Sequence, residues 1–206
     1  PKKDLIAKAI KIGLERVDYE QKGETVPFMV GLKDKVFSKL VFSKFKEGLG
    51  IVDTEYFVTA AAPMNKDVHR WFHAIGIDVT EIYGMTEDTG PATIGVPGNA
   101  VESFSKRLKA DSIEVPSVLN PIGKVGIPIP GTEVKVMEDG ELCIKGNHVA
   151  QGYYKSDEQT KETFDSDGWL HTGDLAEIDS EGYVKIIGRK KEILITSAGK
   201  NIAPVE

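Results

Sequence analysis

Hydrophobic positions near the start of the chain recur at helical spacing. Leu5, Ala9 and Val17, together with their apolar neighbours, fall on one face of a predicted helix. Gly13 interrupts this face, at a cost of about 1 kcal/mol relative to alanine. Residues 21–31 follow without periodicity and predict a loop. The pattern therefore predicts a packing helix that carries no chemistry.

A second helical face lies between Val36 and Phe45. Glycine favours the left-handed conformation that ends many helices, so we expect this helix to end at Gly48 or Gly50. Nothing in the segment indicates chemistry, and the pattern favours a packing helix.

The pattern then changes to strand, helix and strand. Residues 55–59 predict a buried strand, and the small-residue turn Ala60-Ala61-Ala62-Pro63 lets a ligand approach the backbone while proline stops the strand. A helix is predicted from Asn65 to Ala74, with a second strand near residues 77–82. A strand–helix–strand unit of this kind predicts two parallel neighbours.

His69 and His73 lie one turn apart on the predicted helix. Histidines at this spacing can share a metal ion. The alternative, favoured because no third ligand is nearby in the sequence, is one surface and one core histidine.

The second half of the chain is dominated by short alternating strands. Residues 97–120 carry many breakers and predict a long loop, after which residues 121–187 predict a mainly antiparallel module, interpreted as a small barrel. Two hairpins support this interpretation. The first pairs residues 132–137 with 141–145 around Glu138-Asp139-Gly140, and the second pairs 175–178 with 183–187 around residues 179–182.

The predicted fold class is α/β: a partial parallel α/β layer followed by a small antiparallel β-barrel-like module. We expect the α/β part over residues 1–120, the barrel-like part over 121–188, and the start of another domain over 189–206.

Charge excludes one function class. The 206 residues carry a net charge of −6, and residues 1–50 hold +4 of it, which leaves −10 for the remainder. An acidic body argues against a general nucleic-acid-binding protein. The basic excess at the start is small and is interpreted as a solvated surface.

Cysteine content and hydropathy indicate the compartment. Cys143 is the only cysteine, so no internal disulfide forms, which fits a reducing compartment. No run reaches the roughly 20 apolar residues that cross a bilayer. We expect a cytoplasmic location, compatible with peripheral attachment to an intracellular membrane. Because the chain starts without methionine and ends inside a motif, we interpret it as a piece of a longer protein.

Candidate chemistry lies in Tyr83-Gly84-Met85-Thr86-Glu87, after the apolar run from Ile75 to Val79, which itself reads as a strand. A strand that stops at a glycine and presents these residues is typical of a site at the carboxyl edge of an α/β sheet. Threonine offers a hydroxyl to a phosphate, glutamate a hard oxygen to Mg²⁺, and tyrosine a flat face to a base. Taken alone, the segment also fits a plain polar loop.

Two later motifs resolve this ambiguity. Residues 172–174 read Thr-Gly-Asp and residues 188–192 read Gly-Arg-Lys-Lys-Glu. Together with residues 83–87, in this order and spacing, they resemble the adenylate-forming acyl-CoA synthetases, most closely the long-chain and bubblegum-type fatty acyl-CoA synthetases. The resemblance extends from about Phe37 to Glu206.

A carboxylate can accept hydrogen bonds from both hydroxyls of a ribose, and the resemblance assigns this role to Asp174. By the same resemblance Arg189 contacts the ribose, Tyr83 lies beside adenine with Gly84 and Met85 in the nucleotide-binding segment, Thr86 contacts the α-phosphate region and Glu87 holds Mg²⁺. The same resemblance makes Lys191 the hinge residue and Gly199 part of the loop that closes on the pantetheine arm of coenzyme A. It also places Ala61 and Ala62 beside the adenine and acyl pockets. The family usually has glycine where this chain has Ala60, which bears on how closely a ligand packs there.

The implied reaction joins a fatty acid to coenzyme A with ATP, through an acyl-adenylate. No glycine-rich phosphate loop followed by lysine occurs in the 206 residues, and the family's C-terminal catalytic lysine lies beyond them, so we expect this piece to have no turnover alone. The alternatives are an aryl-CoA ligase, a fatty acyl-AMP ligase, a peptide-synthetase adenylation domain, or a non-catalytic module that binds nucleotide or lipid.

Overall fold

The computed structural model describes residues 2–96, 118, 120–192, 194–195 and 201–202. The chain divides into two compact units, which are described separately: unit 1 is Pro1–Glu81 with Val96–Gly123, and unit 2 is Ile82–Gly95 with Lys124–Glu206. The domain boundaries expected at residues 120 and 188 stay a prediction.

Five α-helices lie within the described residues: α1 Lys2–Gln21, α2 Phe28–Phe37, α3 Ser43–Leu49, α4 Lys66–Ala74 and α5 Asp157–Thr163. A π-helical turn, Ser38–Phe42, joins α2 to α3, and 3₁₀ turns cover Thr86–Asp88 and Lys190–Glu192. Among these residues no helix combines the length and the hydropathy of a membrane span.

The strands are β1 Phe57–Thr59, β2 Val79–Met85, β3 Gly90–Ile94, β4 Ile127–Pro128, β5 Thr132–Val136, β6 Glu141–Gly146, β7 Leu170–Ile178, β8 Val184–Arg189, β9 Leu194–Ile195 and β10 Asn201–Ile202. Within unit 1, β1 pairs in parallel with the start of β2, from Phe57 opposite Val79 to Thr59 opposite Glu81. This confirms the predicted parallel pair.

The first predicted helix is confirmed, and Gly13 has a packing reason. A Cβ at Gly13 would lie 2.0 Å from the carbonyl oxygen of Ala74, at the end of α4. Because no side chain fits there, glycine allows the close approach of α1 to α4, which offsets its poor helix propensity. The core of unit 1 then forms around Ala9, Phe42 and Ile77.

Two details of unit 1 differ from the sequence prediction. Residues 21–31 are not all loop, because α2 begins at Phe28. The apolar residues of its first turn are exposed, Phe28 by 80%, so no buried periodicity marks that start. The second helical segment does end where expected, at Gly50, which adopts the left-handed conformation with φ of 70°.

Residues 75–78 are not a strand and β2 begins only at Val79, which corrects the prediction of a strand from Ile75. The N–H of Ile75 still bonds to the carbonyl of Trp71, and that of Ile77 to the carbonyl of Phe72. The run is therefore the capped end of α4, whose buried isoleucines complete the core. Of the predicted loop at residues 97–120, all except 118 and 120 lie outside the described residues.

In unit 2 the end of β2 pairs antiparallel with β3, and β3 with β4. A curled antiparallel sheet follows in the order β5-β6-β7-β8. Both predicted hairpins are confirmed, β5 with β6 and β7 with β8. The α/β class with an antiparallel barrel-like module is therefore confirmed, and its core contains Leu142, Ile144, Leu170, Ala176 and Val184.

Candidate functional site

Asp174 is the centre of the candidate site in unit 2. Asp174 lies on β7 and is 6% exposed, and each oxygen of its carboxylate contacts one protein side chain. The Tyr83 hydroxyl donates to Oδ2 at 2.6 Å, and Arg189 Nε lies 2.9 Å from Oδ1. Asp174 and Arg189 are register partners on β7 and β8, whereas Tyr83 comes from β2. Three separate sequence segments thus converge on one carboxylate.

The surroundings of Tyr83 keep its hydroxyl protonated, so it acts as a hydrogen-bond donor to Asp174. Burial, followed by its hydrogen bond to Asp174, raises the pKa of Tyr83 far above its usual value. The Tyr83 ring packs against the core of unit 2, while the Arg189 side chain is 62% exposed. A buried anion with one half-buried neutral donor and one exposed cation can accept further hydrogen bonds, because each carboxylate oxygen has two lone pairs.

The strand β2 continues through Tyr83-Gly84-Met85, so the prediction that the strand stops at the glycine is wrong. Gly84 is exposed, and a Cβ there would lie 2.0 Å from the carbonyl oxygen of Gly90. Glycine is therefore required for the pairing of β2 with β3 at this point. Met85 donates its N–H to Asp88 Oδ1 at 3.1 Å.

Thr86 and Glu87 lie on the 3₁₀ turn that follows β2. Thr86 is exposed and Glu87 is half-buried. The Tyr153 hydroxyl donates to Glu87 Oε1 at 2.5 Å, and this bond raises the pKa of Tyr153. The backbone N–H of Ala150 also bonds to the Glu87 carbonyl. Both side chain and main chain of Glu87 are thus fixed by a segment far along the chain.

A cleft of about 1250 Å³ opens beside these residues in unit 2. Met85, Tyr153, Thr172, Arg189 and Lys191 are among its lining residues. Tyr83, Asp174 and Glu87 do not line it themselves, but they contact the lining residues Arg189 and Tyr153. The structure therefore brings Tyr83, Asp174 and Arg189 together and places Met85 and Lys191 at the cleft, with Glu87 bound to the lining residue Tyr153.

Lys191 is exposed on the 3₁₀ turn after β8. Its neighbour Lys190, which the sequence does not single out, donates to Asp139 Oδ2 at 2.5 Å and Glu141 Oε2 at 3.0 Å. These two bonds raise the pKa of Lys190. Gly199 lies outside the described residues.

Ala61 and Ala62 belong to unit 1, in an exposed turn. Ala61 has φ of 71°, a left-handed conformation that costs an alanine roughly 1–2 kcal/mol. Three residues on, the Met64 N–H donates to Glu81 Oε1 at 2.9 Å. Glu81 is 4% exposed, and its other oxygen lies 3.5 Å from His69 Nδ1.

The two histidines of α4 are both buried, so the predicted surface position for one of them is wrong. Their Nε2 atoms share the Val79 carbonyl oxygen, at 2.7 Å from His69 and 3.1 Å from His73. Burial lowers the pKa of His69, but bonds to Glu81 and Val79 raise it above its usual value overall. For His73 burial dominates, and its pKa is lowered.

Four side chains of these networks escaped the sequence analysis: Glu81, Asp88, Glu141 and Tyr153. Glu81 and Glu141 begin or continue apolar strands, where a carboxylate looks like a solvent-facing residue of the alternating pattern. The buried Asp88 directly follows Glu87 and accepts from the Met85 and Gly90 N–H groups, a local signal that could have been read. Tyr153 had no such signal, because Glu87 is 66 residues away.

Comparison with known proteins places these features in context. A family model described as "AMP-binding enzyme" matches residues 26–154. The long-chain-fatty-acid–CoA ligase FadD15 of Mycobacterium bovis is 36% identical over 84% of this chain and 25% of its own length. The long-chain-fatty-acid–CoA ligase ACSBG2 of Xenopus laevis is 36% identical over 94% of this chain and 24% of its own.

Solved structures of ATP-bound enzymes also resemble this chain in fold. ATP-bound MatB from Rhodopseudomonas palustris is 33% identical, with a TM-score of 0.58 over 72% of this chain and 28% of that one. The O-succinylbenzoate coenzyme A synthetase MenE of Bacillus subtilis, in complex with ATP and magnesium, matches in fold with a TM-score of 0.56 over 79% of this chain and 32% of its own. The chain spans about a third or less of the length of the relatives it matches.

Proposed function

Since this chain belongs to the AMP-binding enzyme family, we propose that it is part of an ATP-dependent fatty acid–CoA ligase. The reaction would join a fatty acid to ATP, release pyrophosphate and form an acyl-adenylate, from which coenzyme A takes the acyl group. The names of FadD15 and ACSBG2 support the fatty acid as substrate. The single observation that carries the proposal is the convergence of Tyr83 and Arg189 on the buried Asp174.

Asp174 is proposed to hold the ribose. Its Oδ2 accepts the Tyr83 hydroxyl and its Oδ1 forms an ion pair with Arg189, which leaves lone pairs on both oxygens for the ribose hydroxyls. Tyr83 and Arg189 fix the carboxylate before the nucleotide arrives, which reduces the ordering cost of binding. The exposed Arg189 can turn its free guanidinium nitrogens towards the ribose or a phosphate. Asp174 thus acts as a preorganised acceptor, with Tyr83 beside adenine.

Glu87 is proposed to hold Mg²⁺, and the residues present fit this role. The Tyr153 hydroxyl occupies one carboxylate oxygen and orients the group, as partners of metal-ligating carboxylates generally do. Carboxylate oxygens are preferred Mg²⁺ ligands. When bound, Mg²⁺ would neutralise charge on the departing pyrophosphate. Thr86, exposed beside it, supplies a hydroxyl for the α-phosphate region.

Lys191 is proposed as the hinge, because it is exposed on a short turn directly after β8 and can change its backbone angles without breaking a sheet. Gly199 is proposed to contact the pantetheine arm of coenzyme A. Ala61 and Ala62 are proposed to border the adenine and acyl pockets. The 206-residue piece is expected to show no turnover by itself.

The test is carboxylate-dependent exchange of pyrophosphate into ATP by the full-length protein. We expect exchange with long-chain fatty acids, loss of exchange in Asp174→Ala, and normal exchange in the exposed-aspartate control Asp167→Ala. Exchange with aryl acids alone would replace the proposal with an aryl-CoA ligase. ATP binding without any exchange would favour the non-catalytic module.

A further inference from the structure

A cluster of metal-ligating side chains lies on the neighbouring strands β6 and β7, apart from the proposed nucleotide and Mg²⁺ ligands. Glu141, Cys143 and His171 place one ligand atom each within 4.8 Å of one another. His171 Nδ1 lies 3.2 Å from Glu141 Oε2 and 3.5 Å from Cys143 Sγ. We propose that these three residues bind a single thiophilic divalent cation, with Zn²⁺ as the biological example.

The spacing of the donor atoms suits a tetrahedral ion. Zinc bonds of about 2.0–2.1 Å to nitrogen and oxygen and about 2.3 Å to sulfur give donor–donor edges of about 3.3 Å and 3.6 Å. The two measured edges, 3.2 Å and 3.5 Å, match these values. Since two donor pairs already lie at these separations and the third lies within 4.8 Å, modest side-chain adjustment would let the three residues surround an ion.

The groups around the ligands hold them in place. His171 Nε2, the ring nitrogen left over, lies 3.6 Å from Asp165 Oδ2, and histidine ligands usually have a carboxylate there. Asp165 is itself fixed by the N–H of Trp169 at 2.8 Å. Glu141 Oε1 accepts the Gly173 N–H at 2.9 Å, which leaves Oε2 directed to the cluster.

The cleft gives the ion a way in and leaves room for a fourth ligand. Cys143 is fully buried and Glu141 nearly so, but the His171 side chain is 26% exposed and lines the cleft. A water molecule from the cleft can complete the coordination, which is the open arrangement of three protein ligands and one solvent.

The ammonium group of Lys190 competes with the cation for the Glu141 carboxylate. Its ammonium lies 3.0 Å from Glu141 Oε2, and its side chain is 42% exposed, so it can move into solvent with its charge. Binding also releases the thiol proton of Cys143 to solvent. The thiolate and the Glu141 carboxylate then balance the two charges of the ion, and His171 binds as a neutral ring.

Co²⁺ is the probe for the test, added to the intact protein that contains this chain. A thiolate-to-cobalt absorption band should appear with one ion per chain and vanish in Cys143→Ser. Lys190→Met should tighten Co²⁺ binding about tenfold, because a nearby positive charge is removed. The matched control is Lys185→Met, whose ammonium pairs with the exposed Glu177 at 3.1 Å, and it should leave the affinity unchanged.

The Lys190 variant keeps the test decisive even where a buried substitution disturbs folding. Absence of the band in wild-type protein that still melts cooperatively would overturn the proposal. So would a band that survives in Cys143→Ser, or equal Co²⁺ affinities for Lys190→Met and Lys185→Met.

Discussion

Two buried carboxylates, one in each unit, differ in the side chains that surround them. Glu81 in unit 1 is 4% exposed and Asp174 in unit 2 is 6% exposed. Glu81 accepts a backbone N–H and lies 3.5 Å from the fully buried His69, whereas Asp174 accepts from Tyr83 and pairs with the largely exposed Arg189. Burial alone therefore does not mark a ligand site. We propose that a partner that reaches solvent at a cleft, as Arg189 does for Asp174, distinguishes a ligand-binding carboxylate from a structural one.

The largest expected effect concerns Glu81. Glu81→Ala leaves the Met64 N–H without its acceptor and His69 without its ionic partner, and breaking a buried pair in this way costs about 3–5 kcal/mol of stability. The measurement is the free energy of unfolding in urea. The control Glu177→Ala removes a carboxylate whose side chain is 63% exposed, and it should cost no more than about 0.5 kcal/mol. Equal losses in the two variants would contradict a structural role for Glu81.

In contrast to Glu81→Ala, the substitution Glu87→Gln should strongly reduce the rate of adenylation and change the stability only slightly. An amide cannot present a full negative charge to Mg²⁺, so adenylation should fall about a hundredfold or more. The half-buried position predicts a stability change of about 1 kcal/mol or less. Pyrophosphate exchange over a range of Mg²⁺ concentrations, beside a melting curve, measures both. Near-normal exchange would remove Glu87 from the site.

The smallest effect is a pH dependence that belongs to unit 1. The pKa of Glu81 is lowered from 4.5, so its contribution is lost as pH falls below that range. The pKa of His69 is raised from 6.5, so its contribution is lost as pH rises through the raised value. The pair should therefore stabilise most between these two pKa values, by about 1 kcal/mol relative to either side. Unfolding measured against pH should lose this maximum in His69→Gln.

Local signals explain what could be predicted from the sequence. The Asp139-Gly140 turn located the first hairpin, and Asn65 began α4, where its side chain accepts from the N–H groups of Asp67 and Val68. Both signals act over a few residues. The run at Ile75 misled because isoleucine suits a strand, yet here it fills the core beside a helix end.

The candidate site was only partly predictable, for a different reason. The motifs around Tyr83, Asp174 and Arg189 were recognised through a family resemblance, which implied roles for them but not their mutual contacts. Tyr153 and Glu141 were missed because their partners are distant in sequence. Periodicity reports which face of an element is buried, and it carries no information on which polar groups meet across a fold.

The most direct test of the account compares ATP with 2′-deoxy-ATP and 3′-deoxy-ATP, using the wild type and Asp174→Ala in the full-length protein. If Asp174 accepts both ribose hydroxyls, the wild type should prefer ATP over each analogue. Loss of hydrogen bonds to a charged group, at roughly 1.5–3 kcal/mol each and partly replaced by water, predicts about a hundredfold weaker ATP binding in the variant. The variant should bind all three nucleotides about equally. A variant that still discriminates against both deoxy analogues would contradict the ribose role.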